Sequence, residues 1–118
     1  LRQPPSIDAI GGGGFRVSGV RREGSLLIID DAVQPWTATS LEALTADDFS
    51  PVFNAAPGSV EFVLLGAGAV QKLPPRNVRE AMIAAGLGFE FMTTEAAAKT
   101  YNFLASEGRR LACCLIAV

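Results

Sequence analysis

Three apolar runs, residues 60 to 65, 87 to 92 and 111 to 118, are separated by two segments of helix length, and this spacing constrains the fold more than any other feature. Continuous apolar strands are buried on both faces when helices cross over them, so the C-terminal half reads as two consecutive βαβ crossovers. Ahead of them, FRVSG (15 to 19), SLLIID (25 to 30) and VQPW (33 to 36) are short runs. The turn residues Arg22, Glu23 and Gly24, then Asp30 and Asp31, separate them, which is the pattern of an antiparallel meander. The expected fold is therefore α/β, a three-layer single domain with a mixed, partly parallel central sheet. Two βαβ crossovers form its C-terminal half and extra antiparallel strands its N-terminal part. Residues 1 to 14 combine Pro4 and Pro5 with Gly11 to Gly14, and are expected to form an irregular N-terminal arm ending in a loose turn, with the domain over 15 to 118.

Local signals place the helices. Thr45 is a capping residue with Asp47 and Asp48 in the first turn, and Pro51 is expected to limit the short helix that follows. Residues 55 to 59 are a turn into the first buried strand. Pro74 and Pro75 open the next helix, whose inward stripe is Val78, Met82 and Ala85, with Arg76 and Glu80 paired outside and Gly86 at its end. The last helix starts at Thr93 or Thr94, turns Ala97, Tyr101 and Leu104 inward and Glu95 and Lys99 outward. It closes at Gly108, with Arg109 at the negative end of the dipole.

Composition limits function. A chain of 118 residues, 49% hydrophobic and 19% charged, suits one domain with a substantial core. A net charge of −2 gives no general attraction for phosphate backbones or anionic lipid. Nucleic acid is accordingly not an expected partner, and the adjacent pairs Arg21-Arg22 and Arg109-Arg110 read as solvated turns or strand entries. No apolar stretch approaches the ~20 residues of a membrane helix. The start shows neither a basic n-region nor an h-region, and it begins with Leu, so residues are expected to be missing before it. A cytoplasmic protein without direct membrane insertion is the expectation. With no histidine in the chain, Cys113 and Cys114 are neighbours in a strand and point to opposite faces, so they cannot both serve one metal. They read as buried free thiols in a reducing compartment, and no metal or cofactor is expected.

Residues for chemistry are sparse. The missing histidine excludes Ser/His/Asp and Cys/His sites. Asp30-Asp31 and Asp47-Asp48 are adjacent rather than converging, and each has a turn or cap explanation. Gly11 to Gly14 lacks the Lys and Ser or Thr of a phosphate loop, being followed by Phe15, Arg16 and Val17. Ligands of open parallel sheets bind beyond the carboxyl ends of the strands. Here those ends carry Gly66-Ala67-Gly68 and Met92-Thr93-Thr94, where free helix amides under threonine hydroxyls could hold an anion. Asn102, a mediocre helix former beside Tyr101, points to a specific hydrogen bond. The candidate ligand or anion crevice is thus Gly66, Gly68, Thr93, Thr94, Tyr101, Asn102 and Arg109, against a competing reading as ordinary caps and turns. No catalytic residue is assigned.

The stretch MTTEAAAKTYNFLASEGRRLACCLI (92 to 116), with LLGAGA (64 to 69) and LPP (73 to 75), carries a family resemblance. It is similar to the small domain found in mitochondrial complex I assembly factor 3, in the adipogenesis-associated protein with the same domain, and in many uncharacterised bacterial and archaeal proteins. The resemblance runs from about Phe15 to Val118. Its most specific pieces are Gly66 and Gly68, Thr100 to Asn102, and Glu107 to Arg109; Ala67 replaces the threonine usual between the two glycines. It implies a three-layer α/β domain, a role in protein assembly rather than catalysis in the eukaryotic branch, and, for bacterial members, work close to membrane-protein biogenesis. The reading that follows is a bacterial, non-enzymatic protein-binding or assembly-factor-like domain, linked to respiratory-complex or membrane-protein biogenesis, with a protein partner or self-association. Its alternative is a small-molecule or anion-binding domain, weakly enzymatic or not, using Gly66, Gly68, Thr93 and Thr94.

Overall fold

A computed structural model describes residues 2–118. The strands are β1 (Ile7–Gly11), β2 (Gly14–Val17), β3 (Val20–Glu23), β4 (Leu26–Ile29), β5 (Ala32–Pro35), β6 (Phe62–Gly66), β7 (Gly88–Met92) and β8 (Leu111–Leu115). A 3-10 turn over Ala46–Phe49 runs into α1 (Ser50–Phe53), and the longer helices are α2 (Arg76–Ala84) and α3 (Thr94–Ser106).

The two crossovers are present as the spacing predicts. β6 pairs in parallel with both β7 and β8, so the connections through α2 and α3 place β6 between them. β8 continues antiparallel to β4, and β4 to β5, which makes a mixed five-stranded sheet in the order β5-β4-β8-β6-β7. Strand alternation then sorts the apolar residues into two cores. Leu27, Ile29, Val63, Leu65 and Cys114 face Trp36, Phe49 and the Val78 and Met82 of α2. Leu26, Ile28, Leu64, Cys113 and Leu115 face Ala97, Tyr101 and Ala105 of α3, together with Ile7, Phe15 and Val17. Each fully buried side chain such as Val78 or Met82 is worth about 1.5–3 kcal/mol. Both cysteines are free and wholly buried, one in each core, and burial pushes both thiols up.

The N-terminal part departs from the expected meander. Val20–Glu23 is a strand that takes in Arg22 and Glu23, two of the three expected turn residues, and β1-β2-β3 form a separate antiparallel sheet that does not include β4. All four residues of β3 are exposed, so the sequence there shows no alternation to find. Residues 1 to 14 are not an irregular arm throughout, because Ile7–Gly11 is β1, and Gly12 and Gly13 at φ +62° and +80° turn the chain into β2. What holds β1 is distant in sequence. The Asn102 amide accepts the Ile7 N–H at 2.9 Å and donates to the Ile7 carbonyl at 2.8 Å, imitating one residue of a paired strand. The buried Tyr101 hydroxyl donates to the Pro5 carbonyl at 2.8 Å, and Arg2 bridges Asp31 at 2.8 Å and the Gly108 carbonyl at 3.1 Å.

Smaller corrections concern helix ends and one strand. Pro51 sits in the first turn of α1, where a missing N–H costs nothing, and so begins a helix rather than limiting one. Thr45 and Asp48 form a capping box, with the Asp48 carboxylate accepting the Thr45 N–H at 2.9 Å. Ala85 is exposed just past α2, leaving Val78 and Met82 as its buried stripe, and Leu104 is half-buried. The apolar run 87 to 92 is not a buried strand. As β7 it forms the sheet edge, with Gly88 and Glu90 exposed.

Replacing Asn102 by Ala strips both bonds from Ile7, and we expect a loss of about 1–3 kcal/mol in urea unfolding with faster amide exchange at Ile7. Unchanged exchange at Ile7 would show that the sheet alone holds β1.

Candidate functional site

At the carboxyl end of β6, residue 66 has to be small. A Cβ there would lie 2.9 Å from the Thr94 Cα and 2.7 Å from the Leu115 Cδ2, so glycine lets α3 begin directly against the sheet. Thr94 is wholly buried, and its hydroxyl donates to the Ile116 carbonyl at 2.7 Å while accepting the Gly68 N–H at 2.9 Å. The Thr94 N–H donates to the Gly68 carbonyl at 2.9 Å. Thr93 is the N-cap, its hydroxyl accepting the Ala96 N–H at 3.2 Å. Gly66, Gly68, Thr93 and Thr94 are therefore brought together as the sequence suggests, but the polar groups of the three last-named bond one another and the neighbouring chain. They form a joint between strand ends and helix start.

The other candidates lie elsewhere. Tyr101 and Asn102 sit further along α3 and are engaged by the N-terminal segment. Asn102 borders an open depression of about 300 Å3 beside Ile7, Ile10, Ala98 and Lys99. Arg109 is at the opposite end of the sheet, 3.0 Å from the Glu61 carboxylate and 5.3 Å from the Phe62 ring centroid. The Arg110 N–H, followed by the Arg109 guanidinium, holds the Glu61 carboxyl below the usual glutamate range. The seven residues thus occupy three separate places, not one crevice. Beyond Gly68 lies a shallow depression of about 280 Å3 bordered by Leu41, Val70 and Ile116, with Lys72 and Glu42 paired at 3.4 Å beside it. Among the described residues no group of acids and cysteines is placed to hold a metal ion.

An uncharged depression lies on another side. Ala55, Val60, Leu87, Phe89 and Phe91 cover the first core only in part. A depression of about 380 Å3 opens among Phe53, Ala55, Pro57, Val60 and Leu87, and no charged residue lines it. Aromatic rings connect it to the interior. Trp36 meets Phe49 edge-on at 5.4 Å, Phe49 lies 6.5 Å from Phe53 and 6.3 Å from Phe89, and Phe89 lies 6.0 Å from Phe91. Such ring pairs hold the surface aromatics at fixed angles. The signal that could have found this flank is the alternation in Gly-Phe-Glu-Phe-Met, the period of a half-exposed strand rather than a buried one.

Comparison with known proteins adds the following. The family model described as "Protein of unknown function (DUF498/DUF598)" matches residues 7–116. An uncharacterized protein of Rhodobacter capsulatus is 37% identical over 110 residues, covering 93% of this chain and 82% of its own length. The human NADH dehydrogenase (ubiquinone) 1 alpha subcomplex assembly factor 3 is 32% identical over 110 residues, covering 93% of this chain and 59% of that protein. The chain thus spans well under two thirds of that relative. Among solved structures, one described as an outer membrane protein from Bartonella henselae superposes with a TM-score of 0.87 at 32% identity, covering 98% and 96% of the two chains. A Bordetella parapertussis protein gives 0.87 at 29% identity, covering 100% and 99%.

The joint at α3 yields a direct test. Thr94→Val keeps the shape but leaves the Gly68 N–H and the Ile116 carbonyl unpaired, at about 1–3 kcal/mol per group left unsatisfied. Gly66→Ala forces the helix start away and is expected to cost about 1–3 kcal/mol by overpacking. Urea unfolding of both variants measures this, and a neutral Gly66→Ala would contradict the close approach.

Proposed function

The chain belongs to the DUF498/DUF598 family, and from that premise we propose that it is a non-enzymatic protein-binding domain of the assembly-factor type, serving the biogenesis of a respiratory complex or another membrane-protein assembly. The relative named as a complex I assembly factor supports the class of function. The observation that carries it in this chain is the uncharged flank around Phe53, Val60 and Leu87, where aromatic and aliphatic side chains packed beside the core are partly exposed. Surfaces of this kind mark protein contacts, and their aromatic anchors dominate the binding energy. Binding of substrate or anion at Gly66, Gly68, Thr93 and Thr94 has no such support, because the hydroxyls and the Gly68 amide there already have partners.

A soluble partner-binding domain in the bacterial cytoplasm is the setting we propose. Among the described residues no helix is long and apolar enough to cross a membrane, so contact with a membrane complex would run through protein surface.

Affinity capture from bacterial extract with identification by mass spectrometry tests the proposal. The chain is expected to retrieve subunits of a membrane-bound complex, and Phe53→Glu with Leu87→Glu is expected to reduce their recovery roughly ten-fold or more while circular dichroism stays native. Equal recovery by the folded double variant, or no specific subunits with the unaltered chain, would refute it.

A further inference from the structure

β7 closes the five-stranded sheet on one side, and the hydrogen-bond pattern shows which of its backbone groups are free. In a parallel ladder a residue turns its N–H and its C=O toward the same neighbour, and successive residues alternate sides. The Met92 carbonyl accepts the Ala67 N–H at 2.8 Å, so Met92, Glu90 and Gly88 face β6. Phe89 and Phe91 consequently direct their N–H and C=O groups away from the sheet. Among the described residues, no other segment takes them up.

Native sheets ordinarily blunt such edges with proline, charge, a bulge or a covering group. The other edges here follow that practice. β5 carries Pro35, β3 presents Arg21, Arg22 and Glu23, and β1 has its Ile7 groups occupied by Asn102. β7 has no proline and no bulge, its single charge is Glu90, and its register with β6 is unbroken from Gly88 to Met92. Its side chains alternate as well: Phe89 and Phe91 lie on the face of the uncharged flank, and the exposed Glu90 on the other.

We infer that the β7 edge is the docking site for an extended strand of a partner protein whose side chains run apolar, basic, apolar opposite Phe89, Glu90 and Phe91. The inference rests on the protein-binding reading and specifies how the partner is held. Strand addition satisfies the free amides and carbonyls of Phe89 and Phe91, which a docked helix leaves unpaired. Charge selects the occupant. A second copy pairing antiparallel about Glu90 sets glutamate against glutamate, and like charges directly opposite repel. A lysine or arginine there makes the favourable pair instead. Its apolar neighbours lie over Phe89 and Phe91, and continuation past Leu87 carries the strand over the uncharged depression.

The test is an NMR titration of the isotope-labelled whole chain with the peptide acetyl-Ser-Thr-Val-Lys-Val-Thr-Ser-amide and its counterpart with glutamate in place of lysine. The expected result is that the largest shifts and slowed amide exchange fall on Phe89 and Phe91. The lysine peptide should bind about 2- to 5-fold tighter, the range of a cross-strand charge pair, and Glu90→Lys should reverse the preference. Shifts centred elsewhere, no shifts at millimolar peptide, or a preference indifferent to Glu90→Lys overturn the inference. Concentration-dependent shifts at these amides without peptide assign the edge to a second copy and overturn it too. If the capture experiment loses its partner with Phe53→Glu and Leu87→Glu but keeps it undiminished with Glu90→Lys, strand addition falls while the protein-binding reading stands.

Discussion

The buried hydroxyl of Thr94 is the point on which the C-terminal half turns. By donating to the Ile116 carbonyl and accepting the Gly68 N–H, it joins the ends of β6 and β8 to the start of α3. Three segments that would otherwise each bring an unpaired backbone group into a dry place satisfy one another there. The joint also fixes how near the helix comes to the sheet, which is why Gly66 carries no side chain. With α3 set, Tyr101 and Asn102 fall where they capture Pro5 and Ile7, and the N-terminal sheet is seated against the second core.

That dependence explains what was legible in the sequence. The crossovers are readable because residues 62 to 65 and 111 to 118 are apolar at consecutive positions, which strands covered on both faces require. Cys113 and Cys114 followed from the same parity, one thiol to each core. The helix caps at Thr93 and Thr45 were local and were found. By contrast β1 owes its place to a side chain far along the chain, and β3 has four exposed residues, so neither leaves a local pattern. β7 was read as buried because its apolar content resembles that of β6. Its position at the edge depends on the order in which crossovers return, which composition does not record.

The candidate site divides along the same line. Gly66, Gly68, Thr93 and Thr94 were correctly placed next to one another, since strand-end loops converge by topology. Their chemistry was not visible, because whether a hydroxyl is free depends on what stands opposite it, and here that is the Ile116 carbonyl. Arg109, expected near the crevice, lies at the other end of the sheet, paired with Glu61. The apolar flank escaped notice for the opposite reason. Phe53, Leu87, Phe89 and Phe91 look like core residues in one dimension, and only the packing shows that they are partly exposed at its border.

The amide of Asn102 has a consequence beyond holding β1. By taking up both the N–H and the C=O of Ile7, it stands where a neighbouring strand would pair with that residue. A border met by side chains of its own chain in this way offers less to an incoming strand. Capping an edge residue from within the chain thus guards against uncontrolled strand pairing as well as seating β1.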